Sequence, residues 1–114
     1  FYSVDIGPVH FVIFSSEYYY YTEYGWDQIE RQYRWLEEDL KRANANRAKR
    51  PWLIAMAHRS PYCLKDDKEE CDLKTMERIE LRQGIHMNDK KHTPLQYGLE
   101  KLLFEFGVDI MSKP

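Results

Sequence analysis

An α/β fold with elements in the order β-β-α-β-α-β is predicted by three features of the 114-residue chain. Residues 52 to 57, WLIAMA, form a short apolar run of strand length with both faces suited to burial, and such strands lie inside sheets covered by helices. Trp26, Ile29, Tyr33, Leu36 and Leu40 recur at steps of three and four, the period of an amphipathic helix. Leu95, Leu99, Leu102, Leu103 and Phe106 form a second such stripe beyond the apolar run. Strands alternating with helices are the pattern of parallel strands joined by crossover helices.

The elements follow in order. FYSVDIGPVHFVIFSSE, residues 1 to 17, reads as two short strands around Gly7-Pro8, rich in aromatic and β-branched residues. Tyr18 to Tyr21 with Tyr24 have the character of a stacking surface or of amphipathic cover over a core edge with hydroxyls in water, and the second reading is preferred. In the first helix Asp27 and Glu30 have capping-box spacing, and Glu30/Arg34, Glu37/Lys41 and Glu38/Arg42 are i,i+4 pairs of the better orientation. ANANRAK then breaks the period, and Pro51 opens the next strand. Leu73 to Gly84 carries a weak helical pattern. Thr93-Pro94 offers a cap and a first-turn proline for the last helix, Gly107 suits its exit, and Val108 to Met111 reads as the first residues of a further strand.

Seventeen Lys and Arg against nineteen Asp and Glu leave a formal charge of -2, which gives no basis for nucleic acid or an anionic membrane as the main partner. The densest basic stretch, Lys41, Arg42, Arg47, Lys49 and Arg50, sits where a helix dipole favours cations without any ligand. No apolar stretch approaches the roughly 20 residues of a membrane-spanning helix. Phe1 falls within strand-like sequence and is not preceded by an initiator Met or a leader, so the chain reads as one domain, or a piece of one, that begins within a longer protein. Cys63 and Cys71 close a short loop. They are compatible with a disulfide, a metal site with other ligands, or free thiols. A disulfide is the preferred reading, because zinc-type spacing is absent, and it favours an oxidising compartment.

His58 ends the apolar run, and ligands of α/β sheets collect beyond the carboxyl ends of the strands. A histidine there is often structural. A rigid strand tip open to substrate is also what a metal needs from an imidazole. His10 falls within an apolar strand and reads as a core or sheet-edge residue, while His86 and His92 are weaker candidates for a proton donor. Phosphate-binding glycine loops, nucleophile elbows and His-Glu-x-x-His helices are missing from the sequence. Asp66, Asp67, Glu69 and Glu70 lack the alternating ligands of a calcium loop and read as a solvated acidic loop.

Four stretches together, YSVDIGPVHFVIFSSE, QYRWLEEDLKRAN, NRAKRPWLIAMAHRSPYC and YGLEKLLFEFGVDI, resemble the animal purple acid phosphatases, members of the calcineurin-like metallophosphoesterases. The resemblance runs over nearly the whole chain, from just after the family's Gly-Asn-His block to just before its closing Gly-His-x-His block, and MAHRSPYC is its most specific piece. It implies a partial metallophosphoesterase β-sandwich flanked by helices, with residues 1–114 as the C-terminal part of a catalytic domain that is incomplete at both ends. It implies hydrolysis of phosphate monoesters at a binuclear centre of iron with zinc, manganese or a second iron, with His58 as a ligand of the divalent metal. In animal relatives a loop is flanked by cysteines like Cys63 and Cys71. A secreted or lysosomal location follows from the same resemblance. The family's carboxylate-bearing strand blocks, iron-binding tyrosine, asparagine ligand and paired closing histidines have no counterpart in this sequence, and no proton donor transfers to His86. The expectation is therefore a piece that is inactive alone. The alternative is a noncatalytic interaction module that uses the tyrosine-rich segment and an exposed sheet edge, which would favour oligomers or aggregation.

Overall fold

Gly7 takes φ +56° at the first turn, a conformation that admits glycine readily, and lets the chain reverse between β1, Tyr2–Ile6, and β2, Val9–Ile13. In the computed structural model, which describes residues 1–59, 61–62 and 75–112, these two strands pair antiparallel with Asp5 opposite His10. A short helix α1, Glu17–Tyr20, and a 3-10 turn, Thr22–Tyr24, lead into the long helix α2, Asp27–Ala45. Beyond it comes β3, Trp52–Met56, parallel to β2 with Ile13 opposite Met56. Helix α3, Thr75–Gln83, then runs into β4, Gly84–Ile85. After a 3-10 turn at Met87–Asp89, β4 pairs antiparallel with β5, Gln96–Tyr97. Helix α4, Leu99–Glu105, precedes β6, Ile110–Ser112, which lies parallel to β3 with Met56 opposite Ser112. The main sheet has the order β1-β2-β3-β6, the mixed α/β arrangement that the alternating pattern predicts.

The core lies on one face of that sheet. Val12, Leu53 and Ala55 project to the side that packs with Ile29, Leu36 and Leu40 of α2, all of them buried. Leu81, Leu99 and Leu102 bring α3 and α4 into the same cluster. Residues of the opposite parity tell a different story: Tyr2, Val4 and Ile6 on β1 are exposed, and Phe11, Ile13, Ile54 and Met56 are only partly covered. Among the described residues, no helix covers this second, largely apolar face.

Several local expectations are corrected. The first helix is preceded by Trp26 as cap with no side-chain cap bond, so Asp27 and Glu30 do not form a capping box, and Glu30 instead pairs with Arg34 at 3.0 Å. Lys41 and Arg42 reach Glu38 and Asp39, one residue closer than the i,i+4 spacing, each at 3.6 Å. Thr93-Pro94 does not start the last helix, because Gln96–Tyr97 is drawn into pairing with Gly84–Ile85 and the helix begins only after Gly98. Gly98 makes this possible: a Cβ there would stand 2.4 Å from the Gln83 carbonyl carbon, so only glycine lets the two backbones approach. Tyr19 departs from the picture of hydroxyls in water. It is 1% exposed, its hydroxyl donates to the Tyr97 carbonyl at 2.5 Å, and burial pushes its pKa upward.

The basic stretch has structural work of its own. Arg47 donates to the carbonyls of Pro51, Phe106 and Gly107 and to Asp109, which closes the end of α4 and leads the chain into β6. Arg50 pairs with Asp5 at 3.0 Å and donates to the Gly7 carbonyl.

Candidate functional site

The registers Ile13 with Met56 and Met56 with Ser112 bring the carboxyl ends of β2, β3 and β6 to one level. Each ladder runs one step further, through Phe14 N–H to the Met56 carbonyl at 3.1 Å and Ala57 N–H to the Ser112 carbonyl at 3.2 Å. His58 stands directly past that line. Its side chain follows Ile54 and Met56 onto the open face, where it is exposed and lines a depression of about 680 Å³ together with Tyr2, Phe14, Ser15 and Ala57. The imidazole therefore sits at the mouth of the strand ends rather than sealed in the core.

The turn that carries His58 is braced from both sides. The Arg59 N–H donates to Ser16 Oγ at 3.0 Å, and Arg59 Nε meets Glu17 Oε1 at 2.7 Å with its guanidinium 4.7 Å from the centre of the Tyr20 ring. The hydrogen bond and charge of Glu17 hold the Arg59 guanidinium pKa above its usual value, the hydrogen bond contributing most and outweighing burial. On the far side Arg82 donates to the Pro61 carbonyl at 2.6 Å and stacks over Tyr62, whose hydroxyl donates to Glu100. Sequence reasoning overlooked these braces. One signal for them was available: Gln32 falls on the apolar stripe between Ile29 and Leu36, a polar side chain where the period calls for an apolar one.

The other histidines lie elsewhere. His10 points to the α2 side, with Nδ1 2.5 Å from Asp5 Oδ1 and Nε2 2.7 Å from Asp39 Oδ2. His86 Nδ1 donates to the Thr93 carbonyl at 2.7 Å within the β4–β5 unit, and His92 is exposed. Cys63, Cys71 and the acidic run at 66 to 70 fall outside the described residues. Among the described residues, three or more His, Cys, Asp or Glu side chains do not gather as a metal-holding group, so His58 is a single donor at an open position. A single imidazole with an exposed ring fits one coordination position of a metal centre and leaves the remaining positions to other ligands.

No family model and no solved structure matches the chain. Curated relatives do. The chain is 43% identical over 109 residues to acid phosphatase type 7 of Homo sapiens and 47% identical over 112 residues to acid phosphatase type 7 of Danio rerio, in each case over 96% of its own length. It is also 30% identical over 111 residues to purple acid phosphatase 23 of Arabidopsis thaliana. These similarities fit a fragment of an animal-type purple acid phosphatase. It spans about a quarter of the length of these relatives, 23% of the human protein and 24% of the zebrafish one. In a chain with these relatives the placement of His58 is the informative feature, because it occupies the open end of the sheet. No helix among the described residues is long and apolar enough to cross a membrane.

Proposed function

We propose that residues 1–114 form the C-terminal part of a metallophosphoesterase catalytic domain that hydrolyses phosphate monoesters, with His58 as a ligand of the divalent metal in a binuclear centre. The metals are iron with zinc, manganese or a second iron. The observation that carries this reading is the exposed imidazole of His58 just beyond three strand ends held level by their registers. A cation pair bound there would polarise the phosphate ester and lower the pKa of a bound water. The chain's own part is narrower. β3 fixes the position of the ring, the flanking Ala57 and Arg59 amides are hydrogen-bonded, and the open face leaves the imidazole accessible. The remaining ligands come from other parts of a longer protein, and a second sheet over Tyr2, Val4, Ile6 and Phe11 completes a sandwich. Secretion or lysosomal residence suits such an enzyme, as does a bridge between Cys63 and Cys71.

The test is His58→Ala in the full-length protein, read as bound metal and as hydrolysis of a phenyl phosphate. Loss of about one metal per molecule and a fall in activity of at least tenfold are expected. Unchanged metal content and activity would overturn the assignment.

The exposed apolar face favours one other reading, a noncatalytic module that associates through that face and the tyrosine-rich segment. Turnover separates the two, since a full-length protein that binds no metal and hydrolyses no phosphate ester, yet self-associates in sedimentation, is such a module.

A further inference from the structure

Ser16 and Gln32 are both fully buried polar side chains, and each spends its hydrogen bonds on the backbone next to the strand ends. Gln32 on α2 grips residue 15 from both sides: Ser15 N–H donates to Gln32 Oε1 at 2.6 Å and Gln32 Nε2 donates to the Ser15 carbonyl at 2.8 Å. The neighbouring hydroxyl, Ser16 Oγ, accepts the Arg59 N–H at 3.0 Å. Glu17 then takes Arg59 Nε at 2.7 Å. Two successive residues, 16 and 17, thus hold Arg59 on the carboxyl side of His58, with Gln32 anchoring the residue just before them, while the Ala57 N–H bond to Ser112 locks the amino side. Among the described residues the His58 ring has no hydrogen-bond partner, and the hydrogen bonds of its neighbours fix the backbone that carries it. Polar groups in a buried setting stabilise a fold little more than well-packed apolar ones would, and their best-attested use is to fix one arrangement.

We infer that Ser16 and Glu17, on a segment that Gln32 anchors at Ser15, are positioning residues that act through Arg59 to hold the His58 imidazole in place for metal binding. This rests on the reading of His58 as a metal ligand. None of the three touches the imidazole. Their effect is to remove the freedom of the turn, so that the ring need not be ordered when a metal arrives. Glu17 is the informative member because its side chain is partly exposed, and its neutralisation removes the ion pair with Arg59 without opening the core.

The experiment uses the full-length protein stripped of metal and reloaded with zinc(II), with affinity read by competition against a chromogenic chelator. Amide hydrogen exchange at Arg59 and the thermal unfolding midpoint of the metal-free form are measured alongside. Ser16→Ala and Glu17→Gln are each expected to weaken zinc(II) binding about tenfold. Arg59 exchange should quicken at least tenfold in Ser16→Ala, and the unfolding midpoint of Glu17→Gln should stay at the wild-type value. If His58→Ala weakens zinc(II) binding while Ser16→Ala and Glu17→Gln bind as wild type, this inference is overturned and the ligand role of His58 stands. If all three bind as wild type, both are overturned.

Discussion

His10 Nε2 lies 2.7 Å from Asp39 Oδ2, tying β2 to α2, while its Nδ1 lies 2.5 Å from Asp5 Oδ1 on β1. A neutral imidazole has one donor nitrogen, so two carboxylate partners call for the imidazolium. Ser3 Oγ donates to the other Asp39 oxygen at 2.7 Å, Arg42 stands 3.6 Å from Asp39, and Arg50 pairs with Asp5, which completes the charged groups around the ring.

Burial opposes the His10 charge, but the hydrogen bonds and charges of Asp39 and Asp5 outweigh it and raise the pKa above 6.5. The hydrogen bond from His10 lowers that of Asp5 below 3.8. A raised histidine contributes stability below its unfolded value and loses it as pH rises through the folded value. A depressed carboxylate contributes above its unfolded value and loses that as pH falls through the folded one. The clasp is therefore complete between about 3.8 and 6.5 and weakens at higher pH. Urea titrations carried from this range to higher pH should show stability holding within it and declining as pH rises through the folded pKa of His10. His10→Gln should remove that decline and destabilise the protein by about 1–3 kcal/mol at acidic pH, because the charge-assisted bond to buried Asp39 is lost. Equal pH slopes in the two proteins would refute the clasp.

Gly98→Ala tests the β4–β5 contact. Its Cβ would lie 2.4 to 2.7 Å from backbone atoms of Gln83, Gly84 and Arg82, none of which can turn aside like a side chain. The expected cost is about 2 kcal/mol or more. It should appear as a lower denaturation midpoint, with faster amide exchange at Gly84 and Ile85. A wild-type midpoint would mean that the two backbones separate at no cost.

Arg47 is the third test. Its guanidinium serves Pro51, Phe106, Gly107 and Asp109 from one planar fork, which a lysine cannot reproduce. Arg47→Lys should cost about 2 kcal/mol despite keeping the charge. Asp109 is held below 3.8, mainly by the Leu53 N–H and then by Arg47, so its pKa should climb part of the way back in the variant. An NMR titration of the Asp109 carboxyl reads this directly, and an unmoved pKa would remove Arg47 from the account.

Tyr19→Phe is the last. The Tyr97 carbonyl accepts the Tyr19 hydroxyl, and Tyr97 itself holds φ +66°, a strained setting for a side chain of this size. Loss of the hydroxyl should cost about 1–2 kcal/mol in chemical denaturation, and a cost near zero would show that water replaces the bond.

The main sheet and the long helix were legible because period and composition agree: Trp52 to Ala57 is apolar and β-branched at its centre, and the stripe from Trp26 to Leu40 is regular. The last helix was misplaced by five residues at its start, from Pro94 to Leu99, because Thr93-Pro94 imitates a helix start while pairing between Gln96–Tyr97 and Gly84–Ile85 is a long-range event with no local mark beyond two glycines. His58 was legible as a residue at a strand end. Its braces were not, since the contacts of Ser16 and Gln32 with the strand ends join parts of the chain 17 and 43 residues apart.

The side of the sheet on which the His58 ring emerges is a question of odd and even. Because successive strand residues face opposite ways, Ile54, Met56 and His58 share one side and Leu53, Ala55 and Ala57 the other. A single residue gained or lost between Trp52 and His58 would turn the imidazole toward α2 and bring core leucine and alanine to the outside, whereas two would restore its side. Natural length variation along this stretch should therefore come in even steps or not at all, while the loops that leave the level strand ends are free to differ in length by any number.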